Sequence, residues 1–153
     1  TTWMMMKMMQ RLKWADKHVF DYGCGTGILA ILAAKLGATS IDAVDIEVPA
    51  YENTIENIDI NQVRGITPYC GTLDSVPFKI YDVILANINR HVILDSLAAL
   101  YQRLRSDGRL VISGILKTDE ELILTAAAEC GWQWIEQLER GEWICLVFKK
   151  TTV

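Results

Sequence analysis

The segment Asp21-Tyr22-Gly23-Cys24-Gly25-Thr26-Gly27 joins an apolar run that reads as a strand to a run that reads as a helix, and it constrains the fold more than any other part of the chain. Alternate glycines let the backbone turn sharply at the strand tip, because no Cβ obstructs the turn. They also let main-chain N–H groups face a ligand at the start of the following helix. In the dinucleotide-binding fingerprint the third glycine falls three places after the second. Here Ile28 holds that place and the third glycine comes early, at Gly27, so the spacing disfavours a nicotinamide cofactor. The carboxylate of Asp21 argues against a purely phosphate-binding turn.

The next apolar run, Ile41-Asp42-Ala43-Val44, ends in Asp45, roughly 20 residues beyond the loop, the distance at which an acid on a second strand meets a ribose. Such an acid accepts hydrogen bonds from both ribose hydroxyls. A glycine-rich turn alone is a weak sign of a cofactor. Loop and acid together favour a ligand containing adenosine.

With Tyr81-Asp82-Val83-Ile84-Leu85-Ala86-Asn87 added, the sequence resembles the S-adenosylmethionine-dependent methyltransferases of the seven-stranded Rossmann-like class. The stretch from Asp82 to Asn89, the run Leu110-Val111-Ile112-Ser113-Gly114-Ile115-Leu116 and the pair Glu142-Trp143 narrow the likeness. They are similar to the catalytic domain of the enzymes that methylate the eleventh protein of the large ribosomal subunit, and the similarity covers nearly all 153 residues. The resemblance implies S-adenosylmethionine as cofactor and, as acceptor, amino groups of a large-subunit ribosomal protein, either lysine side chains or the N-terminal amine. It carries Thr2 to the methionine end of the cofactor, Gly23 to the loop, Asp45 to the ribose and Asn87 to the transferable methyl as the catalytic candidate. Asp21, Cys24, Gly25 and Gly27 shape the same loop, and Ile46 follows Asp45 where such enzymes place a wall against adenine. The chain departs from the family at Glu47-Val48-Pro49 and at Gly71-Thr72-Leu73-Asp74, which lacks a Gly-Asp pair common near the adenine. Asn87 is followed by Ile88-Asn89-Arg90 rather than by two prolines and an aromatic residue, which disfavours DNA-base or glutamine methylation.

The alternation of strand and helix along the chain predicts an α/β fold. Five βα units require a parallel sheet with helices on both faces. The expected strands cover 19–22, 41–45, 69–71, 81–86 and 109–113, the last after a turn at Asp107-Gly108. Between them fall helices over 28–36, from Pro49 with Tyr51, Ile55 and Ile58 on one face, and over 91–104. Thr118-Asp119-Glu120-Glu121 reads as a capping box opening a helix that Gly131 ends. Strands over 132–138 and 142–148, joined at Arg140-Gly141, read as a hairpin. Ahead of all these, Thr1 or Thr2 is expected to cap a methionine-rich helix that packs on the core. As the resemblance implies, the whole is a three-layer Rossmann-like seven-stranded sheet, mostly parallel with an antiparallel C-terminal hairpin.

Composition narrows the partners. A chain of 153 residues with 51% hydrophobic and 22% charged residues suits one folded domain. A net charge of −4 with scattered basic residues argues against direct nucleic-acid binding and suits a basic protein substrate. Cys24, Cys70, Cys130 and Cys145 lack the paired spacing of zinc sites, so no metal is expected and the thiols should be reduced and mostly buried. His18 and His91 fall at no motif position and read as structural, while Trp132, Trp134 and Trp143 are expected to cover the sheet. No apolar segment approaches membrane-spanning length, so no membrane partner is expected and the cytoplasm is the default location. The start at Thr1-Thr2-Trp3 reads as a catalytic domain, 1–153, cut from a longer chain. The resembled family's separate N-terminal substrate-recognition domain has no counterpart here. Competing readings are a methyltransferase for another protein or a small molecule, a cofactor-binding module without turnover and, less well supported, a nicotinamide dehydrogenase.

Overall fold

The computed structural model describes residues 2–151. Seven strands form one sheet: β1 (His18–Tyr22), β2 (Ser40–Asp45), β3 (Ile66–Cys70), β4 (Tyr81–Asn87), β5 (Leu104–Leu116), β6 (Trp132–Arg140) and β7 (Trp143–Lys150). Their order is β3-β2-β1-β4-β5-β7-β6. The first five strands are parallel, and β7 runs antiparallel between β5 and β6. The helices are α1 (Thr2–Met9), α2 (Ile28–Lys35), α3 (Val48–Asn61), α4 (Arg90–Gln102) and α5 (Glu120–Glu129). The chain moves outward from β1 to β3 and then returns to place β4 on the other side of β1. That reversal opens a crevice at the carboxyl ends of β1 and β4, where open α/β sheets bind ligands.

Strand alternation divides the core into two layers. Phe20, Ile84 and Ile112 face a cluster that includes Ile93, Leu97 and Ile123 from α4 and α5. Their neighbours Val19, Leu85 and Val111 face Met4, Met5, Met8 and Met9 of α1 with Leu29 and Ala33 of α2. A helix as short as α1 is marginal alone in water. Burying each methionine contributes about 1.5 to 3 kcal/mol, so packing rather than propensity holds α1 in place. The three layers and the closing hairpin are those expected from the sequence.

Several details differ. Thr1 lies outside the described residues, and Thr2 already belongs to α1. Helix α4 stops at Gln102, and Leu104 instead begins β5 opposite Tyr81, with a register shift before Val83 pairs with Arg109. Gly108 is therefore inside a strand rather than in a turn; a Cβ there would lie 2.6 Å from the Asp82 carbonyl oxygen. The capping box does not form, because Lys117–Asp119 makes a 3-10 turn and the Asp119 carboxylate pairs with Arg90 at 2.8 Å. In α3 the fully buried residue is Thr54, and Ile55 is exposed. The hairpin turn is Gly141-Glu142. Trp132 covers the sheet beside Phe148, whereas Trp134 and Trp143 stand about half exposed. Cys24 and Cys145 are buried, Cys130 is half-buried and Cys70 is exposed; all four are free thiols. Among the described residues no helix is long and apolar enough to cross a membrane.

Candidate functional site

The glycine loop is fastened to the second strand. The N–H groups of Gly23 and Cys24 both donate to the Val44 carbonyl, at 2.9 and 3.0 Å, and the Gly27 N–H closes the turn on the Cys24 carbonyl at 2.8 Å. Gly23, Gly25 and Gly27 all take positive φ, where a Cβ is strained. They differ in what surrounds them. A Cβ on Gly23 would fall 2.1 Å from Ile88 Cγ2, and one on Gly27 2.9 Å from Thr54 Cγ2, whereas one on Gly25 would meet nothing within 4 Å. Two of the three glycines are thus required by the chain's own packing, and Gly25 alone faces open space.

Sequence reasoning found helix α3 but missed that it braces this loop. The Thr54 hydroxyl donates to the Gly25 carbonyl and the Asn57 side-chain amide to the Thr26 carbonyl, each at 2.9 Å. The signal was two hydrogen-bonding side chains one turn apart in α3, which the apolar spacing of Tyr51, Ile55 and Ile58 obscured.

Asp45, at the end of β2, is held from both sides. Its Oδ2 accepts from the Gly25 N–H at 2.9 Å and its Oδ1 from the Glu47 N–H at 3.0 Å. Each carboxylate oxygen keeps further acceptor capacity. The carboxylate lines a cavity of about 290 Å3 together with Tyr22, Gly23, Ile46, Ile88 and Val92. Ile46 stands 67% exposed.

Below the loop, Asp21 is fully buried and neither carboxyl oxygen has a hydrogen-bond partner. Burial pushes its pKa up to about 7; the nearby backbone of Ala30 opposes the rise and the Asp45 charge adds to it. Burial likewise pushes the Cys24 thiol up to about 12, with the Asp21 charge adding to the effect. A thiol so raised is not a nucleophile at neutral pH.

Asn87 and Thr2 meet beside this cavity without lining it. The Asn87 Nδ2 donates to Thr2 Oγ1 at 3.4 Å. The following helix is capped by Asn89, whose side chain accepts the Val92 N–H at 3.0 Å, so Asn87 is released from capping. Arg90 is engaged by Asp119. One residue past Ser113, the register partner of Asn87, lies Gly114, at φ 85, where a Cβ would come within 3.2 Å of Asn87 Oδ1 and 2.8 Å of the Ile88 carbonyl oxygen. The register of β5 against β7 shifts around it, between Ile112 and Ile115. Its sequence signal was a glycine inside an otherwise apolar strand run. His18 and His91 are exposed and outside this arrangement, and Asp74 lies exposed in a 3-10 turn, Leu73–Ser75.

The family model for ribosomal protein L11 methyltransferase (PrmA) matches residues 1–151. The chain belongs to that family. Ribosomal protein L11 methyltransferases of Acetivibrio thermocellus and Porphyromonas gingivalis are 37% and 38% identical to it, over 86% and 97% of the chain but 42% and 51% of their own lengths. The chain spans about half the length of the curated relatives it matches. The crystal structure of a ribosomal protein L11 methylase from Lactobacillus delbrueckii subsp. bulgaricus is 33% identical, with TM-score 0.94 over 99% of this chain and 79% of that one. Trm5b of Pyrococcus abyssi, at 20% identity and TM-score 0.81 over 96% of this chain and 48% of that one, shares the fold.

Proposed function

We propose that residues 1–153 act as a catalytic domain that transfers methyl groups from S-adenosylmethionine to amino groups of ribosomal protein L11, in the cytoplasm where ribosomes are assembled. Membership of the family and the acceptor named for its members support this reading. The observation that carries it is the release of Asn87 from helix capping by Asn89. It leaves a carboxamide at the end of β4 with its donor turned to Thr2 and its acceptor oxygen beside Gly114.

The residues present suit the cofactor. Gly25 offers a surface with no Cβ and nothing near it, Asp45 is pre-oriented with acceptor capacity to spare, and the orphaned Asp21 carboxyl favours a positively charged group nearby. S-adenosylmethionine supplies a methyl group already activated on a sulfonium centre. What the protein must add is position, exclusion of water and a neutral amine. The Asn87 oxygen can accept an N–H of the arriving amine and thereby direct its lone pair, while Thr2 keeps the carboxamide from rotating. Asp45 would hold the ribose, and the glycine loop the methionine end, with Thr2 at its rim. The net charge of −4 suits the approach of a basic acceptor protein.

Calorimetric titration with S-adenosylhomocysteine and, in parallel, with NADH tests the proposal, followed by methyl transfer to purified L11. Micromolar binding of the former alone and labelled L11 are expected. NADH binding, or S-adenosylhomocysteine binding with transfer to no L11 amine by the full-length protein, would overturn it.

A further inference from the structure

Among the residues that line the cavity beside Asp45, Tyr22 carries the one aromatic ring. The Tyr22 ring stacks on Phe20 at 5.6 Å and 14°, and Phe20 stacks on Tyr81 at 5.1 Å and 15°. Phe20 and Tyr81 are buried in the core, so the column rises from the interior and Tyr22 is its last ring, half-buried, with the cavity beyond it. Across the gap between β1 and α4, the hydroxyls of Tyr22 and the buried Ser96 share a hydrogen bond of 3.0 Å. Ser96 lies one helical turn below Val92, which lines the same cavity. Stack and hydroxyl pair together thus fix the ring on one face and at one edge, where it lines the cavity with Val92.

We infer that Tyr22 is a specificity-determining residue, which limits how large a purine base the cavity accepts. The inference rests on the methyltransferase reading above. With the ribose on Asp45 and the sulfonium end toward Asn87, the base is the part of the ligand left to enter this cavity. A tyrosine fixed at one edge by a hydrogen bond and on one face by stacking sets a hard boundary for it. A smaller aliphatic side chain at the same place leaves room beneath the base, because a cavity opened in a close-packed interior fills only partly by relaxation.

The test compares wild type, Tyr22→Phe, Tyr22→Val and Tyr22→Leu by calorimetric titration with S-adenosylhomocysteine and with its analogue carrying a benzyl group on the adenine amino nitrogen. Thermal melts by circular dichroism show which variants fold, and Tyr22→Leu keeps the test open if Tyr22→Val does not. Wild type and Tyr22→Phe are expected to bind the parent compound and reject the enlarged one. The aliphatic variants should bind the enlarged analogue about tenfold or more tighter than wild type does, the size of effect that one apolar group makes in a pocket. If a folded aliphatic variant binds the parent compound yet rejects the analogue as wild type does, or wild type already accepts the analogue, the role given to Tyr22 is wrong and the methyltransferase reading stands. If wild type binds no S-adenosylhomocysteine, both fall together.

Discussion

The N–H of Gly25 donates to the Asp45 carboxylate at 2.9 Å, joining the tip of the glycine loop to the tip of the second strand. Removing that carboxylate takes away the acceptor proposed for ribose and an anchor for the loop at once. Asp45→Ala should weaken S-adenosylhomocysteine binding by about 1.5 to 3 kcal/mol. Asp45→Asn, which keeps one side-chain acceptor, should lose less. Calorimetry on the two variants checks the order, and equal affinity for Asp45→Ala and wild type would remove Asp45 from the site.

Asp21 should make stability depend on pH. Its carboxyl ionises near 3.8 in the unfolded chain and near 7 in the folded one. The folded state thus holds its proton longer, so the contribution is fully present below pH 3.8 and is lost as pH rises through about 7. At about 1.4 kcal/mol for each tenfold change, the loss is at most on the order of 4 kcal/mol. Denaturant melts across this range should show the decline in wild type and a flatter profile in Asp21→Asn. Identical profiles would mean that the acid is solvated or paired in solution.

The three loop glycines should separate by phenotype. Each substitution to alanine strains a left-handed backbone by about 1 to 2 kcal/mol. Gly27→Ala adds a clash with Thr54, and should lower the melting temperature further than Gly25→Ala. Gly25→Ala projects a methyl group into open space, and should lose cofactor affinity out of proportion to its stability. Thermal melts set beside titrations decide it; equal losses of both quantities in the two variants would contradict the assignment.

Asn87 and Asn89 look alike in sequence and should behave oppositely. Asn89→Ala removes the cap of α4 and should cost about 1 kcal/mol of stability. Asn87→Ala should leave the melt and S-adenosylhomocysteine affinity nearly unchanged while slowing methyl transfer to L11 by about a hundredfold. A comparable rate in Asn87→Ala would place the acceptor for the amine elsewhere.

The sequence carried the sheet, its closing hairpin and the strand-end positions of Asp45 and Asn87, because each depends on local periodicity and on a chain reversal at glycine. What it concealed came from tertiary contact. Gly108 reads as a turn until the Asp82 carbonyl is seen lying against it. Thr118 reads as a cap until Arg90 takes Asp119. Thr54 and Asn57 look like ordinary helix polar residues until the loop carbonyls they satisfy come into view. That Asn89 rather than Asn87 caps α4 is invisible in a string where the two stand two places apart.

Beneath α1 lie Met4, Met5, Met8 and Met9, all buried. Thioether chains are unbranched and have three rotatable bonds, so this bed yields where valine or leucine would resist. Two kinds of contact therefore meet beside the glycine loop: hydrogen bonds of fixed direction that pin the loop and strand tips, and undirected thioether packing under α1.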